Sequence, residues 1–255
     1  MNKIKLTALP CICADVFYGT EIIRPGGEAL NFAAHASHFK DIDVTLLGVV
    51  GKDKYAEAIM DSISKLDIDK NHIRIDERYQ TANNMTYLTE SGDRYYKDDS
   101  WNGEILDNIV LNDNEIKILS RSDVVFVHFW ASCFSQVVEL KETLGFKLAV
   151  DFDVYRDFAD MERFAPHVDF FMISGSEELL PRFKELSDKY RCLFNVSLAE
   201  RGSVTYFNGQ EFKVQAVKVE SIIDTTGRVN YAFNFHSLHF EFLSIKVCNA
   251  STFCK

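Results

Sequence analysis

The tetrapeptide Asp224-Thr225-Thr226-Gly227 follows the apolar pair Ile222-Ile223 and has the makings of an anion site. The apolar pair brings the chain out of a strand, and the short polar run ends in a glycine. Backbone N–H groups there can point at a phosphate, and a helix can start. A second candidate lies near the N-terminus, where Pro25-Gly26-Gly27 feeds a helix carrying Asn31 in its first turn or so. Glycines without a Cβ let the backbone approach a ligand closely. The Asn31 amide both donates and accepts, which suits neighbouring sugar hydroxyls. The same residues also read as a tight turn followed by a capping residue. Asp15, expected at a strand end, can accept two hydroxyl hydrogen bonds or cap a turn. Asp151 and Asp153 flank Phe152 and read first as a solvated loop pair on an extended chain.

Ser174-Gly175-Ser176-Glu177 reads as a helix N-terminus with a serine cap and an acid in the first turn. Its functional alternative is a metal-water role for Glu177. Trp130, Tyr87, Tyr95 and Tyr96 can stack on a sugar ring, or can serve core and hairpin packing. His128 reads as structural, as do His35 and His38, three apart on a helix with no third ligand in sequence.

The elements that would hold these groups alternate. Ile4–Leu9 reads as a strand, followed by extended pieces over 14–19 and 21–24 and a helix over 28–39. The continuous apolar run 44–50, bounded by Gly51, has the pattern of a buried parallel strand. Residues 53–66 place Tyr55, Ala56, Ile59, Ile63 and Leu66 on one helical face. Segments 86–88 and 94–96 flank Ser91-Gly92-Asp93 as a hairpin. Strands at 124–128, 147–152, 170–173 and 193–196 alternate with helices at 115–119, 135–144 and 177–190. Segments 203–207 and 211–215 form a second hairpin around Asn208-Gly209. Strands alternating with such helices argue for a parallel sheet covered on both faces, with ligands beyond the carboxyl ends of the strands.

The 255 residues suit one large domain, and their net charge of −10 carries no lysine- and arginine-rich block. Nucleic acid and anionic membranes are therefore not expected partners, and a phosphorylated ligand would need local donors or a metal. Six cysteines without a CxxC pair read as reduced thiols acting as small apolar residues. Residues 1–6 have no apolar core of a signal peptide, and no window reaches the roughly 18 apolar residues of a membrane span. A cytoplasmic location is expected.

In order and spacing, these motifs resemble the PfkB (ribokinase-like) carbohydrate kinases. Residues 26–33, then Gly48-Val49-Val50-Gly51-Lys52-Asp53, resemble that family's first signature. Ser197-Leu198-Ala199-Glu200-Arg201-Gly202-Ser203 looks like its nucleotide-loop segment, T-L-G-x-x-G. Asp224–Gly227 match the start of its second signature, D-T-T-G-A-G-D. The compact length and lid also resemble the fructoselysine-kinase-like branch. The resemblance implies a ribokinase-like three-layer α/β/α sandwich over residues 1–255, with a mostly parallel sheet and a small β-lid from about 12–24 and 84–98. It implies transfer of the ATP γ-phosphoryl group to a hydroxyl of a small sugar, with Mg2+, and a possible homodimer through the lid. Asp15, Gly26, Gly27 and Asn31, with Tyr87 and Tyr96 of the lid, would hold the sugar. Ser197, Gly202, Asp224, Thr225, Thr226 and Gly227 would line the nucleotide, and Glu177 would act on magnesium through water.

The sequence departs from the family after Gly227. Arg228 and Val229 replace the alanine and the second glycine, and Asn230 occupies the position of the catalytic aspartate. A neutral amide is no proton acceptor at pH 7. Residues 228–255 contain no glycine or proline, one acid (Glu241) and five phenylalanines, an atypical tail consistent with a reading-frame change. The expectation is an impaired sugar kinase, with a noncatalytic sugar-binding or regulatory pseudokinase as the alternative.

Overall fold

The computed structural model describes residues 3–89 and 94–216, in two compact units divided between Asp151 and Phe152. The turn Ser91-Gly92-Asp93, the tetrapeptide Asp224–Gly227, Asn230 and the rest of the tail lie outside the described residues.

The first unit is organised on Ile4–Leu9. This strand pairs in parallel with Val124–His128 on one side and Ile42–Leu46 on the other. Lys147–Asp151 and Ile68–Asp69 extend the sheet outward, again in parallel. Both faces of the central strand are buried, with Leu6 and Ala8 alternating against Thr7 and Leu9. That explains its lack of apolar–polar alternation. Thr7 remains tolerable inside because its hydroxyl meets that of Ser122 at 2.7 Å. The helix Glu28–Ala36 packs against the three central strands, and Phe32 stacks on Phe126 with ring centroids 3.9 Å apart.

A second sheet grows from the chain beyond Leu9. Cys13–Phe17 pairs antiparallel with Ile23–Gly26 and parallel with Asn83–Leu88. Asn83–Leu88 then takes Trp101–Asn102 and Arg94–Tyr95 as antiparallel neighbours. The hairpin read from Tyr87 and Tyr95 is thus present, with those two residues directly paired.

The apolar run 44–50 does not form one strand. Ile42–Leu46 belongs to the main sheet, whereas Gly48–Val50 pairs with Ile73–Ile75 in a separate two-stranded sheet. The break falls where Gly48 crosses the Pro10 backbone, since a Cβ there would lie 2.7 Å from the Pro10 carbonyl oxygen. Hydropathy shows burial on both sides of the break but not which sheet each half joins.

The helix after Gly51 is Lys54–Ser62 rather than 53–66. Asp53 is its cap, with Oδ1 accepting from the Tyr55 and Ala56 amides at 3.0 and 2.9 Å. The helix from Glu28 stops at Ala36, short of residue 39. Asn112 and Glu115 form a capping box ahead of Asp113–Leu119. The strands at 68–69, 73–75 and 101–102 are too short to announce themselves by alternation.

In the second unit, Phe170–Ser174 and Leu193–Ser197 run parallel. Ser203–Phe207 and Gln210–Val214 continue antiparallel. Asn208 and Gly209 both have positive φ, 50° and 71°, the signature of the tight hairpin turn their sequence implies. Phe152, Phe171, Phe194 and Phe183 form a continuous aromatic core, each ring within 5.6 Å of the next. The region read as one helix over 177–190 is a 3-10 turn, Glu177–Leu179, leading into Leu180–Lys189. Pro181 in its first turn suits a helix start, where its missing N–H has no helical partner to lose.

Candidate active site

In the first unit, the candidate sugar residues gather just past the carboxyl end of the central strand. Asp15 is mid-strand in Cys13–Phe17, not at a strand end, and only 7% of it is exposed. A Cβ built on Gly26 would stand 3.3 Å from Asp15 Oδ2 and from Cys13 Sγ, so this glycine leaves the carboxylate its space. Gly27 has φ 98° and precedes the helix as its N-cap. A Cβ there would sit 2.5 Å from the Cys11 carbonyl oxygen and 3.0 Å from the Cys13 nitrogen. Gly27 is therefore required by the chain's own backbone crossing. Asn31 follows one turn later, half-buried, its amide nitrogen bonded to the Gly27 carbonyl at 2.9 Å.

Beside this turn Cys11 and Cys13 are buried. The hydrogen bond to Cys13, then burial, then the Glu28 carboxylate push the Cys11 thiol well above its ordinary pKa. The two buried sulfurs act there as small packing groups, as the sequence suggested.

Strand pairing fixes which residues of the second sheet accompany Asp15. Paired residues share a sheet face and successive residues alternate. Asp15 is opposite Arg24 on one neighbour and Asn84 on the other, and Asn84 is opposite Trp101. Arg24, Asp15, Asn84 and Trp101 thus form one row on one face. Phe17 and Thr86 share that face one step along, and the Arg24 guanidinium lies 5.7 Å from the Phe17 ring centroid. Tyr87 falls on the opposite face. It stacks there between Tyr18 and Tyr95 at 4.8 and 5.4 Å, with Lys97 Nζ 4.1 Å from its centroid. Tyr96 is half-exposed beyond the strand end, and Trp130 packs edge-on against Phe129. The structure does not bring Tyr87 to Asp15, whereas Arg24, Asn84 and Trp101 were missed in sequence. Counting alternate residues outward from Asp15 requires the register, which no residue type reveals.

Asp53, near the first signature's end, is engaged structurally. Burial opposes its ionisation, but the Ala56 and Thr81 amides, the Thr81 hydroxyl and the Tyr55 amide prevail, holding its pKa below the ordinary value. Thr81 donates through its amide at 2.7 Å.

In the second unit, Ser174, Ser197 and Ser203 are mutually paired across three strands, at the carboxyl ends of the parallel pair. The loop after Ser197 closes on itself, the Leu198 amide bonding to the Gly202 carbonyl at 2.7 Å. Gly202 has φ 89°, and a Cβ there would overlap the Val214 carbonyl oxygen. Ala199, at the motif's first glycine position, adopts φ 54°. Ser176 occupies the cap position ahead of Glu177 but makes no side-chain cap bond, so the serine cap read from sequence is absent there. Glu177 is largely exposed and pairs with Arg201 at 3.2 Å. The Arg156 guanidinium donates to the Ser174 carbonyl and to that of Tyr155. Arg156 and Arg201 thus place two guanidinium groups beside Ser174 and Glu177. The chain is not extended through Asp153: the strand ends at Asp151, and Asp153 turns with φ 48°. Among the described residues no three His, Cys, Asp or Glu side chains cluster as a metal site, and no helix is long and apolar enough to cross a membrane.

Solved structures that resemble this one share its fold at low identity. Arabidopsis thaliana ribokinase, solved with ribose and ATP, superposes with TM-score 0.72 at 14% identity, covering 91% of this chain and 84% of that one. Ribokinase from Giardia lamblia gives 0.66 at 17%, covering 89% and 79%. An uncharacterized sugar kinase from Pyrococcus horikoshii gives 0.66 at 21%, covering 91% and 82%. No curated protein sequence matches the chain. The architecture is the ribokinase-like α/β fold, and residues 22–227 match the pfkB family carbohydrate kinases. With most of its length within that match, the chain belongs to the pfkB carbohydrate kinase family.

Proposed function

We propose that the protein binds a small carbohydrate through Asp15, Gly26, Gly27 and Asn31, and that its ancestral reaction is phosphoryl transfer from ATP to a sugar hydroxyl. The observation that carries this reading is the buried Asp15 carboxylate set against the Gly26–Gly27 turn that starts the Asn31 helix. A buried carboxylate accepts hydroxyl hydrogen bonds strongly, because the site excludes competing water. The second sheet, with segments 12–24 and 84–98, acts as the lid. Its outer face, bearing Tyr18, Tyr87 and Tyr95, suits a homodimer contact.

Ser197, Gly202 and Asp224–Gly227 take the nucleotide, with Arg156 and Arg201 supplying positive charge. The donor set suits magnesium bound mainly through water and nucleotide phosphates, with Glu177 as an outer ligand. Such an ion supplies charge neutralisation at the phosphates. In this chemistry positioning and electrostatics dominate, and the remaining requirement is a carboxylate that takes the hydroxyl proton. Asn230 removes that acceptor, and Arg228 and Val229 displace the alanine and glycine expected at the anion site. Turnover is therefore strongly impaired. These three replacements also favour the second reading, a noncatalytic sugar-binding or regulatory protein acting in the cytoplasm.

ADP release measured across a sugar panel with ATP and magnesium separates the two readings. Asn230→Asp should raise turnover at least tenfold if the tail still forms the site. Ordinary kinase rates in the unaltered chain would refute impairment. Sugar binding without any ATP effect, unchanged in Asn230→Asp, would identify the pseudokinase.

A further inference from the structure

The row Arg24–Asp15–Asn84–Trp101 crosses four strands, so at the usual interstrand spacing it is about 14 Å wide. One sugar ring centred on Asp15 does not reach its far end. Asn84 Oδ1 is buried without a hydrogen-bond partner, and so is Thr86 Oγ1, two residues along on the same face. Buried polar atoms are normally satisfied, and each exception calls for an explanation such as a bound ligand. Trp101 stands beyond Asn84. A Cβ at Gly103 would run into its indole, so the ring lies along its own strand over that glycine. Half of the residue is nonetheless exposed. A flat, half-exposed aromatic ring beside unpaired polar atoms is a stacking platform for another ring.

We propose that Asn84 and Trp101 form a second subsite beside the sugar, which takes a ring joined to that sugar. This rests on the sugar-binding role given to Asp15 above, and it narrows the substrate class to two-ring compounds. The shared chemistry is a flat face for the indole and a donor for Asn84. A nucleobase and a second sugar both present it.

Calorimetry with D-ribose, D-glucose, uridine and maltose, on the full chain without ATP, tests the proposal. At least one two-ring ligand should bind about tenfold more tightly than its one-ring counterpart, the gain expected of one stacked ring. Uridine against ribose reports a base, and maltose against glucose a second sugar. Trp101→Ala should reduce that gain while leaving one-ring affinity unchanged, which also shows that the variant is folded, and Asn84→Ala should reduce the gain too. If one-ring sugars bind and the second ring adds nothing, the subsite is refuted and the sugar site stands. A gain that survives Trp101→Ala refutes the subsite as well. If none of the four ligands binds, the sugar-site reading falls and the subsite falls with it.

Discussion

Replacing Gly27 by alanine tests the argument that the backbone crossing, rather than the ligand, dictates this glycine. Two terms act. At φ 98° an L-residue is strained, by about 1–3 kcal/mol. The new methyl would stand 2.5 Å from the Cys11 carbonyl oxygen and 2.9 Å from its carbon. Those are backbone atoms of a buried segment, which yield only by shifting the chain, at a further roughly 1–3 kcal/mol. Reduced freedom in the unfolded chain returns about 0.4–1 kcal/mol. The net loss is then about 1–6 kcal/mol, against a total stability of roughly 5–15 kcal/mol. At about 2–4 °C per kcal/mol, Tm should fall by around 10 °C. Gly19 supplies the control: its φ is 74°, but a Cβ there meets nothing within 4 Å. Gly19→Ala carries only the conformational term, and about 0–1 kcal/mol should be lost. Urea titration of both variants, with unchanged slope, isolates the close-approach term as their difference. A Gly27→Ala midpoint no lower than that of Gly19→Ala would refute the crossing argument.

Ala199→Gly should stabilise the protein by up to about 1 kcal/mol, because relief of the left-handed conformation outweighs the added unfolded-state freedom. A drop in thermal midpoint would contradict this. Asp53→Ala should cost about 1–2 kcal/mol at pH 7 through the lost cap. Since the Asp53 pKa is lowered on folding, its ionisation favours the folded state above the unfolded pKa of 3.8. That contribution disappears as pH falls through the folded value. The deficit of the variant should therefore shrink below pH 4, and a constant deficit in acid urea titrations would refute the assignment. Iodoacetamide at pH 8 should leave Cys11 and Cys133 unmodified in the folded protein, as read by mass spectrometry. Burial raises the Cys133 thiol to about 12, and hydrogen bonding and burial raise that of Cys11. Rapid labelling of either would overturn the packing role.

Residue types and spacing were enough to read the alternating α/β order and the family, and to name candidate site residues. Gly26-Gly27, Asn31 and Asp15 are local signals: a turn, a helix start and a carboxylate follow one another within a short stretch, so their proximity needs no long-range contact. The hairpin at Asn208-Gly209 is equally local, because its two positive φ angles belong to the residue types themselves. That Arg228, Val229 and Asn230 follow Gly227 is likewise read from the sequence alone.

Tertiary structure decided what depends on register and on neighbours distant in sequence. The run 44–50 divides between two sheets because Gly48 meets Pro10, almost forty residues earlier in the chain. The partition of the second sheet, with Asn84 beside Asp15, Trp101 next along the same face and Tyr87 behind, follows from pairings between segments distant in sequence. A one-residue slip would exchange those faces without altering any residue's identity. The sequence by itself determined which chemical groups the protein owns. Only the folded sheet decided which of them share a face, because strand register is set by the packing of the whole unit rather than by any one segment.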